Sequence, residues 1–147
     1  MALKHMTDME RMLGKIAFEP MSGCWLFLGS LDRDGYGQFQ IGSRSDGSRK
    51  NTRAHSFMYK ALVGAIPEGK YLDHKCRVRC CANPHHLEPV TMRENTLRGI
   101  SPAAVNAKKT HCNRGHELTP ENTYSRGQYG FRTRQCKECQ RLLRKAG

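Results

Sequence analysis

Apolar and polar positions along the chain change rhythm every ten residues or so, which predicts many short elements and no long ones. Residues 3–16 (LKHMTDMERMLGKI) place apolar side chains around one face at helical spacing, so a helix is expected there. CWLFLG (24–29) and GYGQFQIG (35–42) carry aromatic and branched residues at strand spacing and are expected to be two strands joined by a turn at LDRDG. A polar Gly/Ser-rich loop, SRSDGSRKN (43–51), follows, with strand resuming near TRAH (52–55). HSFMYKALVG (55–64) returns to helical spacing and stops at Gly64.

EGKYLDH then reads as a strand, a Cys-rich loop leads into a second strand LEPVT (87–91), and Thr91 with Glu94 forms a capping box that opens a helix to about Gly99. Strand, loop, strand, helix is a ββα unit within an α+β chain. ISPAAVNAKKT (100–110) reads as a linker or partly helical connector, and residues 111–147 as a second compact unit. The predicted organisation is an N-terminal helix (1–19), a main domain (20–99), a linker (100–110) and a C-terminal module (111–147).

Composition narrows the function. The 147 residues are only 37% hydrophobic with a single Trp, so a large core is not expected and small sub-structures need staples such as metals. Without a secretory signal or an apolar run near 18 residues, the expectation is a soluble cytoplasmic protein with no membrane partner. In a reducing compartment, seven cysteines favour metal ligation over disulfides. The net charge of +12 is uneven: residues 1–99 hold 15 Lys/Arg against 10 Asp/Glu, and residues 100–147 hold 10 against 3. Such a balance points to a polyanion.

Two sets of zinc ligands can be drawn. Cys112-x3-His116 and Cys136-x2-Cys139 are two chelating knuckles about 20 residues apart, the usual arrangement for a structural Zn2+. Between them NTYSRGQYGFRTRQ reads as a β-hairpin. In the other set, Cys76, Cys81 and His86 recur every five residues; Cys24 is the best fourth ligand, with Cys80 or His85 as alternatives.

The pattern Asp73-His74-x-Cys76-x4-Cys81-x-Asn83-Pro84-x-His86-Leu87, ending in Asn95, resembles the HNH and His-Cys box endonucleases of the ββα-metal (His-Me finger) superfamily, phage or intron-encoded homing type. GCWLFLG, DGYGQF, RAHSFMY and IPEG resemble the same phage-type enzymes, over roughly residues 20–99. The resemblance implies a ββα-metal core with a mixed antiparallel sheet, hydrolysing phosphodiester bonds of double-stranded DNA in a phage-infected or host cell, possible as a homodimer. It implies His74 as general base, Asp73 and Asn95 as oxygen ligands of one Mg2+ or Mn2+, and Arg53 as a contact to the scissile phosphate. His86 stands where HNH motifs carry Asn and Asn95 where they carry His; the His-Cys box pattern accounts for both. A backbone carbonyl near Cys81 would then orient His74, with Asn83 stabilising the turn and His55 packing at a helix start.

For the DNA, the ribbon from Gly35 to Thr52 fits a major groove, with Arg44, Arg49 and Lys50 behind it. Arg126, Arg132, Arg134 and Arg141 in the tail suit phosphate contacts. The competing expectation is a non-catalytic zinc-binding nucleic-acid adaptor, which has no need of Asp73, His74 or Asn95.

Overall fold

A computed structural model describes residues 6–126 and 133–145. The chain divides into two units after Asn95. The first contains α1 (Asp8–Leu13), β1 (Ile16–Phe18), β2 (Trp25–Phe27), β3 (Gln38–Ile41), β4 (Lys50–Arg53), α2 (Ala54–Leu62), β5 (Lys70–His74), a 3-10 turn (Pro84–His86) and β6 (Leu87–Thr91). α3 (Met92–Arg98) begins in that unit and runs across the division. α4 (Pro102–Lys108), β7 (Thr123–Arg126), β8 (Thr133–Cys136) and α5 (Lys137–Lys145) make up the second.

The fold is α+β, and among the described residues its strands form four separate two-stranded antiparallel sheets, β1–β2, β3–β4, β5–β6 and β7–β8, in place of the single mixed sheet expected. The pairing of β2 also differs from expectation. Ile16–Phe18 is itself a strand and pairs with Trp25–Phe27, so β2 turns back on β1 and not on β3. The stretch between β2 and β3 is taken up by its own turn, in which Asp32 Oδ1 accepts from the amides of Asp34 and Tyr36, both at 2.9 Å. Gly37 closes this turn. A Cβ there would lie 2.6 Å from the Phe27 ring and 2.9 Å from Ala54 Cβ, so only glycine fits.

The first helix is shorter than its apolar pattern suggests. Thr7 and Glu10 form a capping box that sets its start, the Glu10 amide donating to Thr7 Oγ1 at 3.2 Å and the Thr7 amide to Glu10 Oε2 at 2.7 Å. At the other end Ile16 is already in a strand. The stretch expected to be a linker or partly helical connector contains α4, capped by Ser101, whose hydroxyl accepts from the Ala104 amide at 3.3 Å. α5 had no sequence expectation.

Met12, Phe27, Phe39, Ala54, Met58 and Ala82 form the core of the first unit, with Met9, Ile16, Trp25, Ile41 and Phe57 packed at its margin. Their small number explains why the loop between β5 and β6 cannot be held by apolar burial alone. It is tied instead by backbone hydrogen bonds to β2: Phe27 N–H donates to Cys80 O at 3.0 Å and Ala82 N–H to Trp25 O at 2.7 Å.

Candidate active site and metal centres

β5 and β6 pair from Lys70↔Thr91 to His74↔Leu87, and α3 follows β6 directly. The Thr91 hydroxyl accepts from the Glu94 amide at 3.2 Å while Glu94 Oε2 accepts from Thr91 N at 2.8 Å, the capping box expected from the sequence. Asn95 stands in the first turn of that helix, half-buried.

Asp73 and His74 close β5 and both are buried. His74 Nε2 lies 3.0 Å from the carbonyl oxygen of Cys81. A carbonyl can only accept, so Nε2 carries the proton, and in the neutral ring Nδ1 is then left bare as an acceptor. Burial pushes the His74 pKa down, opposed by the Cys81 carbonyl and the Asp73 charge. Asp73 Oδ1 accepts from the Arg77 guanidinium at 2.9 Å.

Around His74 the structure gathers residues that the sequence motif did not connect. The His55 ring stands edge-to-face with His74 at 4.7 Å, and the Tyr36 ring lies 5.6 Å from His55 and 5.8 Å from His74. Arg53, at the N-cap of α2, stacks over Tyr36 at 4.4 Å and reaches Asp32 Oδ2 at 3.4 Å. Arg79 approaches Tyr36 at 5.7 Å and donates to Asp34 O at 2.7 Å. His55 is buried, and its Nδ1 has no hydrogen-bond partner among the described residues. Burial, then the neighbouring His74 and Arg53 charges, lower its pKa to about 3. The turn at Asp32 brings Tyr36 here, and Arg79 arrives from the loop after β5, roles that the sequence did not assign to either.

Next to this cluster, Cys24, Cys76, Cys81 and His86 bring their donor atoms within 4.8 Å of one another, and so could hold a metal ion. His86 Nδ1 lies 3.6 Å from both Cys24 Sγ and Cys81 Sγ. A tetrahedral zinc with ordinary Zn–S and Zn–N bonds separates sulfur and nitrogen donors by about 3.6 Å, so the donors already stand at the spacing zinc needs. Burial raises the Cys76 pKa and takes that of Cys81 to about 12, a cost a dication offsets by binding the thiolate. Cys80 and His85 stand outside the group. Asn83 holds the turn: its Oδ1 accepts from the His85 amide at 3.0 Å and its Nδ2 donates to Gly23 O at 2.7 Å, beside Cys24.

In the second unit Cys112, His116, Cys136 and Cys139 form a like group, with His116 Nδ1 at 3.5, 3.7 and 3.3 Å from the three sulfurs in turn. The hairpin expected between the two knuckles is present as β7–β8. Asn122 supports the site by donating from Nδ2 to Cys136 Sγ at 3.5 Å.

The basic residues fall into several settings. Lys50 is on β4, Arg49 beside it contacts Gln40 Oε1, and Arg44 is exposed in the adjoining loop. The Arg134 guanidinium binds the carbonyls of Asn106, Ala107 and Lys109, satisfying the open end of α4, a structural task unforeseen from the sequence. Arg141 is exposed on α5, 3.4 Å from Glu138. Arg132 and the side chain of Arg126 lie outside the described residues.

Residues 52–97, which include α2, β5, β6 and most of α3, match the model of the HNH endonuclease family. The chain is 33% identical over 67 residues to the uncharacterized gene 5.3 protein of Enterobacteria phage T3, covering 46% of this chain and 66% of that protein. It is 31% identical over 101 residues to Protein 2.8 of Escherichia phage T7, covering 69% of this chain and 61% of that protein. The chain thus spans just under two thirds of the length of each. No solved structure matches. No helix among the described residues is long and apolar enough to cross a membrane.

Proposed function

We propose that the protein is a metal-dependent DNA endonuclease of the phage or homing type, built on a ββα-metal core, with His74 as general base. The observation that supports this reading best is the contact of His74 Nε2 with the Cys81 carbonyl, which leaves Nδ1 free to take a proton from water. Burial keeps the ring neutral, the form a base requires.

Asp73 and Asn95 offer a carboxylate and an amide oxygen, hard donors suited to Mg2+ or Mn2+ and distinct from the soft thiolate sets. A divalent cation held there supplies charge stabilisation at the phosphate and the leaving oxygen. His74 orients and deprotonates the attacking water. Arg53, half-exposed and stacked on Tyr36, would meet the scissile phosphate. Zn2+ in each of the two Cys/His groups has a structural role, the first fixing the loop that carries the Cys81 carbonyl. Double-stranded DNA lies along the β3–β4 ribbon with Arg44, Arg49 and Lys50, while the tail, including Arg141, supplies cations for the phosphates.

Incubation of supercoiled plasmid with Mg2+ tests this. The wild type is expected to relax or linearise the plasmid, and His74→Ala to lose at least about a hundredfold in rate, the contribution of a general base. Binding without cleavage by either protein would indicate a non-catalytic adaptor.

A further inference from the structure

Arg77 is, among the described residues, the only non-glycine with a left-handed backbone, at φ +60°. A residue with a Cβ adopts this conformation reluctantly, so something in the loop holds it there. Its amide donates to His74 O at 3.0 Å, closing a tight turn that also carries Cys76. From this turn the guanidinium reaches back to Asp73 Oδ1 at 2.9 Å. The two partners differ in environment: the side chain of Asp73 is 6% exposed and that of Arg77 is 56% exposed.

The guanidinium of Arg77 occupies a position on the Asp73 carboxylate and satisfies a buried oxygen by a charge-assisted hydrogen bond. A divalent cation on the same carboxylate would take over that contact and repel the guanidinium. Because Arg77 is more than half in solvent, it can swing away at little desolvation cost, whereas Asp73 cannot leave. We propose that Arg77 is a resident placeholder for the cation: it holds Asp73 oriented before the cation arrives, yields to it on loading, and thereby sets the cation affinity. This rests on the reading of Asp73 as a cation ligand given above. Competition of this kind is reciprocal, so weakening the Arg77–Asp73 pair must strengthen cation binding.

The test measures Mn2+ binding to the full zinc-loaded chain by electron paramagnetic resonance, with no DNA and no turnover. Arg77→Gly and Arg77→Asn both suit a positive φ and both remove the charge, so the turn is kept. Each is expected to bind Mn2+ about three- to tenfold more tightly than the wild type, the low end of the effect of one nearby charge because Arg77 is exposed. Arg77→Lys, which keeps the charge, is expected to stay within about twofold of the wild type. Asp73→Asn is expected to lose the binding. Unchanged or weaker affinity in the Gly and Asn variants, with Asp73→Asn defective, would overturn the placeholder and leave the cation site standing. Wild-type affinity in Asp73→Asn would remove the cation site and the placeholder together.

Discussion

The ring of His55 sits in the first turn of α2 with a buried Nδ1 that has no hydrogen-bond partner among the described residues, 4.7 Å from the ring of His74. Its pKa of about 3 lies far below the 6.5 of an exposed imidazole, so the folded state binds this proton less well than the unfolded state. The sign follows: the neutral ring's contribution is intact above pH 6.5 and is lost as pH falls from there toward 3, at up to about 1.4 kcal/mol per pH unit. His55→Phe keeps the ring and removes the titration. Urea unfolding at pH 7 and pH 5 should show a smaller loss for His55→Phe than for the wild type; parallel losses would mean that another group controls acid stability. At residue scale the two Cys/His groupings were legible in the sequence, because most of their ligand spacings are local. Tyr36, Arg79 and the Arg77–Asp73 pair were not, since each depends on where a turn directs a side chain.

At the scale of elements, the loop between β5 and β6 is the critical piece. Its ends were readable from the capping box at Thr91 and the strand LEPVT, and Cys24, the best candidate for a fourth ligand ahead of Cys80 and His85, stands in the group with Cys76, Cys81 and His86. The pairing of β1 with β2 was not readable, because three-residue strands give too little periodicity and Ile16–Phe18 continues a helical pattern from α1. A metal ion bridging Cys24 to the loop would make β2 part of the site. Cys24→Ser should therefore lower bound zinc from about two ions per chain to about one by atomic absorption, since thiolate ligands and a closed tetrahedron are what such a site requires. Its plasmid cleavage should fall with the zinc, as the carbonyl that aims His74 loses its anchor. Retention of two zinc ions would remove Cys24 from the ligand set.

At the scale of the whole molecule, positive charge is denser in the C-terminal third, where 10 Lys/Arg face 3 Asp/Glu. Deleting residues 111–147 should weaken DNA binding and flatten the dependence of log affinity on log salt, by about 0.9 for each phosphate the shortened chain no longer neutralises. Titrations at several salt concentrations measure this, and an unchanged slope would show that the tail does not touch the backbone of the duplex. The shift in cysteine pattern and charge gave no sign that the second unit already begins at Thr96; residues 102–108, read as a linker or partly helical connector, form α4 within it, held at its end by Arg134.

Cys24 and His86 stand 62 positions apart in sequence and 3.6 Å apart in space. Closing so long a loop is slow compared with forming a hairpin, and it cannot begin until the later ligand has been synthesised. His74 leaves the ribosome twelve residues before His86 does, ahead of the clamp that positions its ring. A nascent chain therefore carries the base without the means to aim it. Under the proposed mechanism, the site is complete only once translation has passed Asn95, nine residues beyond His86, and a metal has been captured.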